Sequence, residues 1–282
     1  MNSALRLLIP PILPMAVRKG AQLLGIRNLL PKPSLTVEVP RWCSILKGPL
    51  AGRPILLNPD AQQYQQLMLK AEFDDFLFDY VDRRDWSGKT IYDIGAHVGY
   101  HTMNFAHRVG EDGRVFAFEP HPSHQQRLRT NLSRNKDLES RVTLMPVAVS
   151  NKAGRIQFYC TESVEGSGSS MSFIAGSSTP FPASFYHDYN AIHVESAKLD
   201  DLVAGGNCLP PDLMKIDVEG AESLVVEGAL GMLRQYKPSL LIEVHSLVNM
   251  LHVACHLQPL GYSFTLLEEK ERRCFLAVEP TR

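Results

Sequence analysis

The sequence predicts an α/β protein built on a doubly wound, mostly parallel sheet that ends in an antiparallel hairpin. Two observations carry this. From "TIYDIG" onward, near-continuous apolar runs alternate with helical segments, as expected of parallel strands covered on both faces. The chain then closes on "GYSFTLLEE" and "RRCFLAVEP", two strand-like runs joined by a short charged turn.

Residues 1–60 read as a basic, apolar arm with short strands such as "SLTVEVP" and "PILLN". Next, "AQQYQQLMLKAEFDDFLFDYVDR" places Leu67, Phe73, Leu77, Tyr80 and Val81 at helical spacing, which predicts one or two helices over 61–84. A main domain is therefore expected over 61–282. Its strand-like runs are "TIYDIG", "RVFAFEP", "VTLMPVAVS", "LMKIDVEG" and "SLLIEVH", with helices expected near 99–109, 122–135, 199–204 and 220–235. "RIQFYC" and "AIHVESAKL" read as an extra strand pair flanking a Gly-, Ser- and Pro-rich loop at about 161–190. A long loop of that kind inside a compact domain is expected to serve as a lid or to be disordered.

With 282 residues, 44% apolar and 21% charged, the composition is that of an ordinary globular protein, with length for one large domain or two small ones. A net charge of -1 gives no reason to expect nucleic acid as a partner. Before Glu38 there is no Asp or Glu, while Arg6, Arg18, Lys19, Arg27 and Lys32 make that segment basic. Pro10, Pro11 and Pro14 interrupt its apolar run, which is too broken to span a bilayer. Residues 1–37 are expected to dock on the main domain or a second subunit, with peripheral membrane contact as the alternative. Five scattered cysteines without a C-x-x-C pair argue against a disulfide framework and a structural zinc site, so a reducing cytoplasm is the default expectation.

Ligands of doubly wound sheets bind at the carboxyl ends of the strands. The first strand presents "DIGAHVG" there. Gly95 and Gly99 allow a sharp turn, and Asp93 can accept hydrogen bonds from an ammonium group. The spacing Asp-x-Gly-x-x-x-Gly differs from the Gly-x-Gly-x-x-Gly of pyrophosphate-binding turns. Glu119 follows at the tip of the second strand, where a carboxylate can accept two hydrogen bonds from a ribose diol. Taken singly, the glycines read equally as a structural corner or a ligand cradle, and Glu119 as a solvated strand end; in this order they favour a nucleoside ligand.

The runs "DIGAHVGYH", "GRVFAFEPHP", "NLSRN", "PVAVSN", "AKLDDL", "LMKIDVEGAE" and "LLIEVH" resemble, in order over about residues 86–270, the FkbM-type S-adenosylmethionine-dependent methyltransferases. The resemblance implies a class I, Rossmann-like methyltransferase fold with S-adenosylmethionine as cofactor. It implies that Asp93, Gly95, Ala96 and Gly99 surround the methionine portion, Glu119 the ribose, and Val147 and Ala148 the adenine. It also implies a hydroxyl of a sugar, glycolipid or other natural product as acceptor. The family often has Asn where this chain has His97, which is given no role.

Methyl transfer to a hydroxyl is an in-line displacement that needs alignment, exclusion of water, and a base or metal for the proton. Strand alternation puts Lys215 and Asp217 on one face, as it does Glu243 and His245. Asp217 is the leading candidate, as base, metal ligand or orienting group. His245 is either a general base or a satisfied strand-end histidine, and Lys215 either acts or merely pairs with Asp217. Glu219 and Glu222 stand where carboxylates favour a helix N-terminus. This many carboxylates is compatible with a divalent cation such as Mg²⁺, though no spacing fixes one. Two rival readings remain at this level. One is a nicotinamide-dependent oxidoreductase, disfavoured by the missing glycine motif and the terminal hairpin. The other is a non-catalytic module that keeps the fold.

Overall fold

A computed structural model describes residues 40–282 apart from 61–62, 162–171, 179–188, 271–272 and Arg282. The described residues belong to one compact unit, Pro40–Arg282. Most of the segment expected to be an arm, and most of the expected 161–190 lid, lie outside them.

A strand pair, β1 (Arg41–Ser44) and β2 (Pro54–Leu57), opens the unit. The expected boundary at residue 61 does not describe this part of the chain. Ile45, Leu50, Ile55 and Leu57 are buried in the same core as the central sheet. Polar contacts hold the pair as well: Leu56 N–H donates to Asn131 Oδ1 at 2.6 Å, and Asn135 Nδ2 donates to the Pro54 carbonyl at 2.9 Å. Helices α1 (Gln63–Lys70) and α2 (Asp75–Val81) follow, the two-helix form of the expected 61–84 segment.

The alternation then unfolds as expected. Strand β3 (Thr90–Ile94) leads to α3 (Tyr100–Val109), β4 (Arg114–Phe118), α4 (Pro122–Ser133), a short α5 (Lys136–Glu139) and β5 (Val142–Met145). "VTLMPVAVS" is not one strand. Beyond Pro146 the chain enters β6 (Ala148–Val149), which pairs with a second sheet. A proline supplies no N–H to a ladder, so this is where the run breaks. The second sheet also contains β7 (Gly154–Cys160), β8 (Phe173–Ile174) and β9 (Asn190–Ala197), in the order β6-β9-β7-β8. The expected extra strand pair is β7 and β9, antiparallel over the whole of β7.

After α6 (Leu199–Ala204) come β10 (Leu213–Ile216), α7 (Glu222–Glu227), α8 (Leu230–Tyr236), β11 (Ser239–Val244) and α9 (Leu247–Leu257). The terminal hairpin is β12 (Tyr262–Lys270) and β13 (Arg273–Pro280). The main sheet runs β12-β13-β11-β10-β3-β4-β5. It is parallel from β11 to β5, and β13 is inserted antiparallel beside β11. Chain order reverses between β3 and β10, so the carboxyl ends of those strands form the topological switch point.

Strands β3, β10 and β11 are buried at every position, because helices cover both faces. Alternation sends Tyr92, Ile94, Met214 and Ile216 into one apolar layer and Ile91 and Leu213 into the other. Asp93, Lys215, Asp217, Glu243 and His245 follow the parity of Ile91 and Leu213. All five therefore point to one side of the sheet.

Candidate active site

A cavity lies over the carboxyl ends of β3, β4, β10 and β11, and it contains all of the cofactor-site residues expected from the sequence except Asp93 and Gly99. Gly95, Ala96, Glu119, Val147 and Ala148 line it together with Lys215 and Asp217. Tyr64 and Met68 of α1, Phe73, and Tyr100 and His101 of α3 form the facing wall.

The turn after β3 is tied to β4: the N–H groups of Gly95 and Ala96 both donate to the Phe118 carbonyl at 3.0 Å. Gly95 has φ +83°, and a Cβ there would stand 1.8 Å from the Asp217 carbonyl oxygen. The close approach that demands glycine is thus to β10 of the same protein. Gly99 caps α3 at φ +91° and packs against Leu128. His97, between them, is also left-handed at φ 50°, a conformation open to Asn and His more than to most residues. Its ring is buried edge-on to His124 at 4.3 Å, and burial next to that second imidazole keeps its pKa well below the ordinary value.

Glu119 is 4% exposed and already half engaged. Oε2 accepts from the His97 N–H and Oε1 from the His121 N–H, each at 2.8 Å. Burial raises its pKa, with the backbone bonds pulling the other way. Each carboxylate oxygen has a second lone pair, so a ribose diol can still be accepted. Asp93 is completely buried. Its Oδ2 accepts from Thr102 Oγ1 at 2.5 Å, while Oδ1 has no hydrogen-bond partner and lies 3.4 Å from Lys215 Nζ. A buried Asp93 oxygen free of hydrogen bonds behind the glycine turn, and a half-engaged Glu119 on the cavity wall, fit the ammonium and ribose of S-adenosylmethionine.

Lys215 and Asp93 are direct partners across β10 and β3. Lys215 Nζ donates to the Gly95 carbonyl at 3.0 Å and stands 3.4 Å from Asp217 Oδ2. Burial opposes its charge, but Asp217 and Asp93 more than compensate and its pKa is raised. Lys215 is thus a fixed cation that braces the turn. Lys215, with His245 behind it, keeps Asp217 below the usual carboxylate range against the pull of burial.

His245 sits among carboxylates. Nδ1 is 2.8 Å from Glu222 Oε1; Nε2 is 3.4 Å from both Glu243 Oε1 and Glu219 Oε2, and 3.9 Å from Asp217 Oδ1. Burial lowers its pKa, yet the surrounding carboxylates win and raise it well above the ordinary value. Glu219 adopts φ 51°, and burial beside other carboxylates pushes it up to about 8. Glu222 does more than favour a helix end: it is fully buried, accepting from Gly220 N–H at 2.9 Å and from Asn249 Nδ2.

Sequence reasoning passed over Tyr64, Phe73 and Arg273. The first two lie in a stretch read only as helix. Arg273 starts the last strand, and only the antiparallel insertion of β13 beside β11 brings it to Glu243, to which it donates.

Strand order with an antiparallel seventh strand, a glycine turn over a buried Asp, and an acidic residue at the tip of the next strand define the class I methyltransferase fold. The chain belongs to a particular branch of it, the methyltransferase FkbM domain family, whose model matches residues 93–264. It is 31% identical over 144 residues to the 2-O-methyltransferase NoeI of Sinorhizobium fredii, covering 49% of this chain and 56% of that protein. It is 26% identical over 161 residues to the hexuronic acid methyltransferase AglP of Haloferax volcanii, covering 56% of this chain and 57% of that protein. The matches thus span little more than half the length of these relatives. Among solved structures, methyltransferase FkbM from Methylobacillus flagellatus aligns with TM-score 0.47 at 17% identity, covering 78% of this chain and 58% of that one. A SAM-dependent O-methyltransferase from Thermotoga maritima aligns with TM-score 0.45 at 14% identity, covering 80% and 74%.

Proposed function

We propose that the protein is an S-adenosylmethionine-dependent O-methyltransferase acting on a hydroxyl of a sugar or sugar-containing natural product. The observation that carries this reading is the cavity over the glycine turn, lined by Gly95, Ala96 and the half-engaged Glu119 on one strand pair and by Asp217, Glu219 and Glu243 on the next, with Asp93 buried directly behind the turn. Bound S-adenosylmethionine supplies the methyl group: the acceptor oxygen bonds to that carbon, the carbon–sulfur bond breaks, and its electron pair stays on sulfur. The protein's part is placement and proton removal. Asp93 and Glu119 fix the two ends of the cofactor, and Lys215 keeps Asp93 and Asp217 in position. The acceptor's hydroxyl proton leaves toward the carboxylates at the ends of β10 and β11. Tyr64, Phe73 and Tyr100 wall the cavity with rings that suit the faces of a sugar and keep water out. The family's relatives support the acceptor class, one being named for a 2-O position and the other for a hexuronic acid.

Calorimetric titration with S-adenosylhomocysteine, S-adenosylmethionine and NADH tests the cofactor half. Saturable binding of the first two and none of NADH is expected; the reverse would point to the oxidoreductase reading. An acceptor screen of neutral sugars, uronic acids and glycolipids with labelled methyl donor tests the rest. Cofactor binding without transfer to any of them would favour a non-catalytic module.

A further inference from the structure

We propose that Asp217, Glu243 and His245 form a binding site for one divalent transition-metal cation. Among the described residues, these are the His, Cys and carboxylate side chains whose ligand atoms gather closely enough to share an ion, all within 4.8 Å of one another. They come from the carboxyl ends of two neighbouring strands and point to the same side of the sheet.

The histidine supplies the independent sign. His245 is 4% exposed, and its Nε2 makes no hydrogen bond although three carboxylates surround it. Its other nitrogen is fixed by Glu222 Oε1 at 2.8 Å. Glu222 is in turn immobilised by the Gly220 N–H and by Asn249 Nδ2, from the first turn of α9. A carboxylate that holds one imidazole nitrogen so that the other is presented to a metal is the usual support of a metal-bound histidine. In the absence of an ion a proton on Nε2 pairs with Glu219 and Glu243 at 3.4 Å without a hydrogen bond to either, so a metal would take the place of that proton.

Charge balance points the same way. Even with Glu219 left neutral, Asp93, Asp217, Glu222 and Glu243 outnumber Lys215 and Arg273 by two once His245 is neutral, as a metal ligand must be. A surplus of buried negative charge calls for a cation. One nitrogen and two oxygen donors suit Mn²⁺, Fe²⁺ or Zn²⁺ better than Ca²⁺ or Mg²⁺. Three protein ligands leave coordination positions open toward the cavity, where neighbouring hydroxyls of an acceptor could bind and lose a proton more readily. That role rests on the acceptor reading above; the binding of the ion does not.

The test uses the full chain, stripped with EDTA and desalted, with Mn²⁺ added and the free ion followed by electron paramagnetic resonance. One Mn²⁺ per chain is expected, with affinity reduced about tenfold or more in His245→Gln and about ten- to a hundredfold in Glu222→Gln, which touches no ion and acts through His245. Thermal melts of both variants establish that they are folded. Crystals of the unaltered protein soaked in Mn²⁺ give a readout that needs no variant: an anomalous peak is expected among Asp217, Glu243 and His245 Nε2. Absence of Mn²⁺ and Zn²⁺ binding, unchanged affinity in folded His245→Gln, or a peak elsewhere would overturn the proposal. Calorimetry with S-adenosylhomocysteine on the same preparation separates the two readings. Mn²⁺ bound without S-adenosylhomocysteine would sink the methyltransferase reading and leave the ion site standing.

Discussion

Gly95 and Gly52 share a left-handed backbone, at φ +83° and +82°, but only Gly95 has a neighbour where a Cβ would be. Gly52→Ala should therefore cost only the conformational penalty, about 1–2 kcal/mol. Gly95→Ala adds a collision with the Asp217 carbonyl and should cost about 2–5 kcal/mol. Urea denaturation of the two variants measures the difference, and equal costs would mean that β10 yields easily. The role of Glu119 separates in a similar way. Glu119→Gln keeps the shape but turns an amide NH₂ toward one of two backbone donors, so a loss of about 1–3 kcal/mol of stability is expected. S-adenosylhomocysteine affinity should fall at least about tenfold, as one charge-assisted bond to the ribose is lost. Retained affinity with lowered stability would make Glu119 purely a brace for the turn. The identities of these residues and their order were readable in the sequence. Their partners were not, because Asp217 stands over a hundred positions from Gly95 and only the pairing of β3 with β10 brings them together.

At the scale of elements, periodicity located most helices and strands, and it erred where local pattern and tertiary pairing diverge. "VTLMPVAVS" is apolar throughout, yet Pro146 divides it between two sheets. Helix α9 was passed over although Ser246 caps it, its side chain accepting from the Asn249 N–H at 3.1 Å. The capping serine was legible, but it follows directly on "SLLIEVH" and reads as a continuation of that strand. Alternation did place Lys215 with Asp217 and Glu243 with His245. That both pairs share one side depends on register, Lys215 opposite both Asp93 and Leu241, which no single strand encodes. Helix α8 shows a cap that no local window could find. Asp200, at the start of α6, accepts from Gly231 N–H at 2.9 Å and Met232 N–H at 2.7 Å. Asp200→Ala should cost about 0.5–2 kcal/mol, read as a lower urea midpoint. S-adenosylhomocysteine affinity should stay within error, since Asp200 lies outside the cavity lining. A fall in affinity would mean that α8 helps to shape the site.

For the molecule as a whole, the sharpest prediction concerns where the folding unit begins. A boundary at residue 61 follows from the basic, proline-broken start of the chain, and composition has no means of showing that residues 40–60 close the core. Ile45, Leu50, Ile55 and Leu57 are each at most 2% exposed, and burying such side chains is worth roughly 1.5–3 kcal/mol apiece. Removing them exposes their partners and forfeits about 6–12 kcal/mol, comparable to the whole stability of a typical domain. A chain starting at Asp60 should therefore be insoluble or lack a cooperative melt. A chain starting at Pro40 keeps every cavity residue and should bind S-adenosylhomocysteine as the full chain does. Liposome flotation of the Pro40 chain beside the full one tests the membrane contact given as the alternative for residues 1–37, which predicts that the full chain floats and the Pro40 chain does not. If the chain from Asp60 melted like the full protein, β1 and β2 would be an appendage and the sequence boundary right. If the Pro40 chain failed to fold, the basic segment would belong to the folding unit, and its charge would have to be explained by what it packs against.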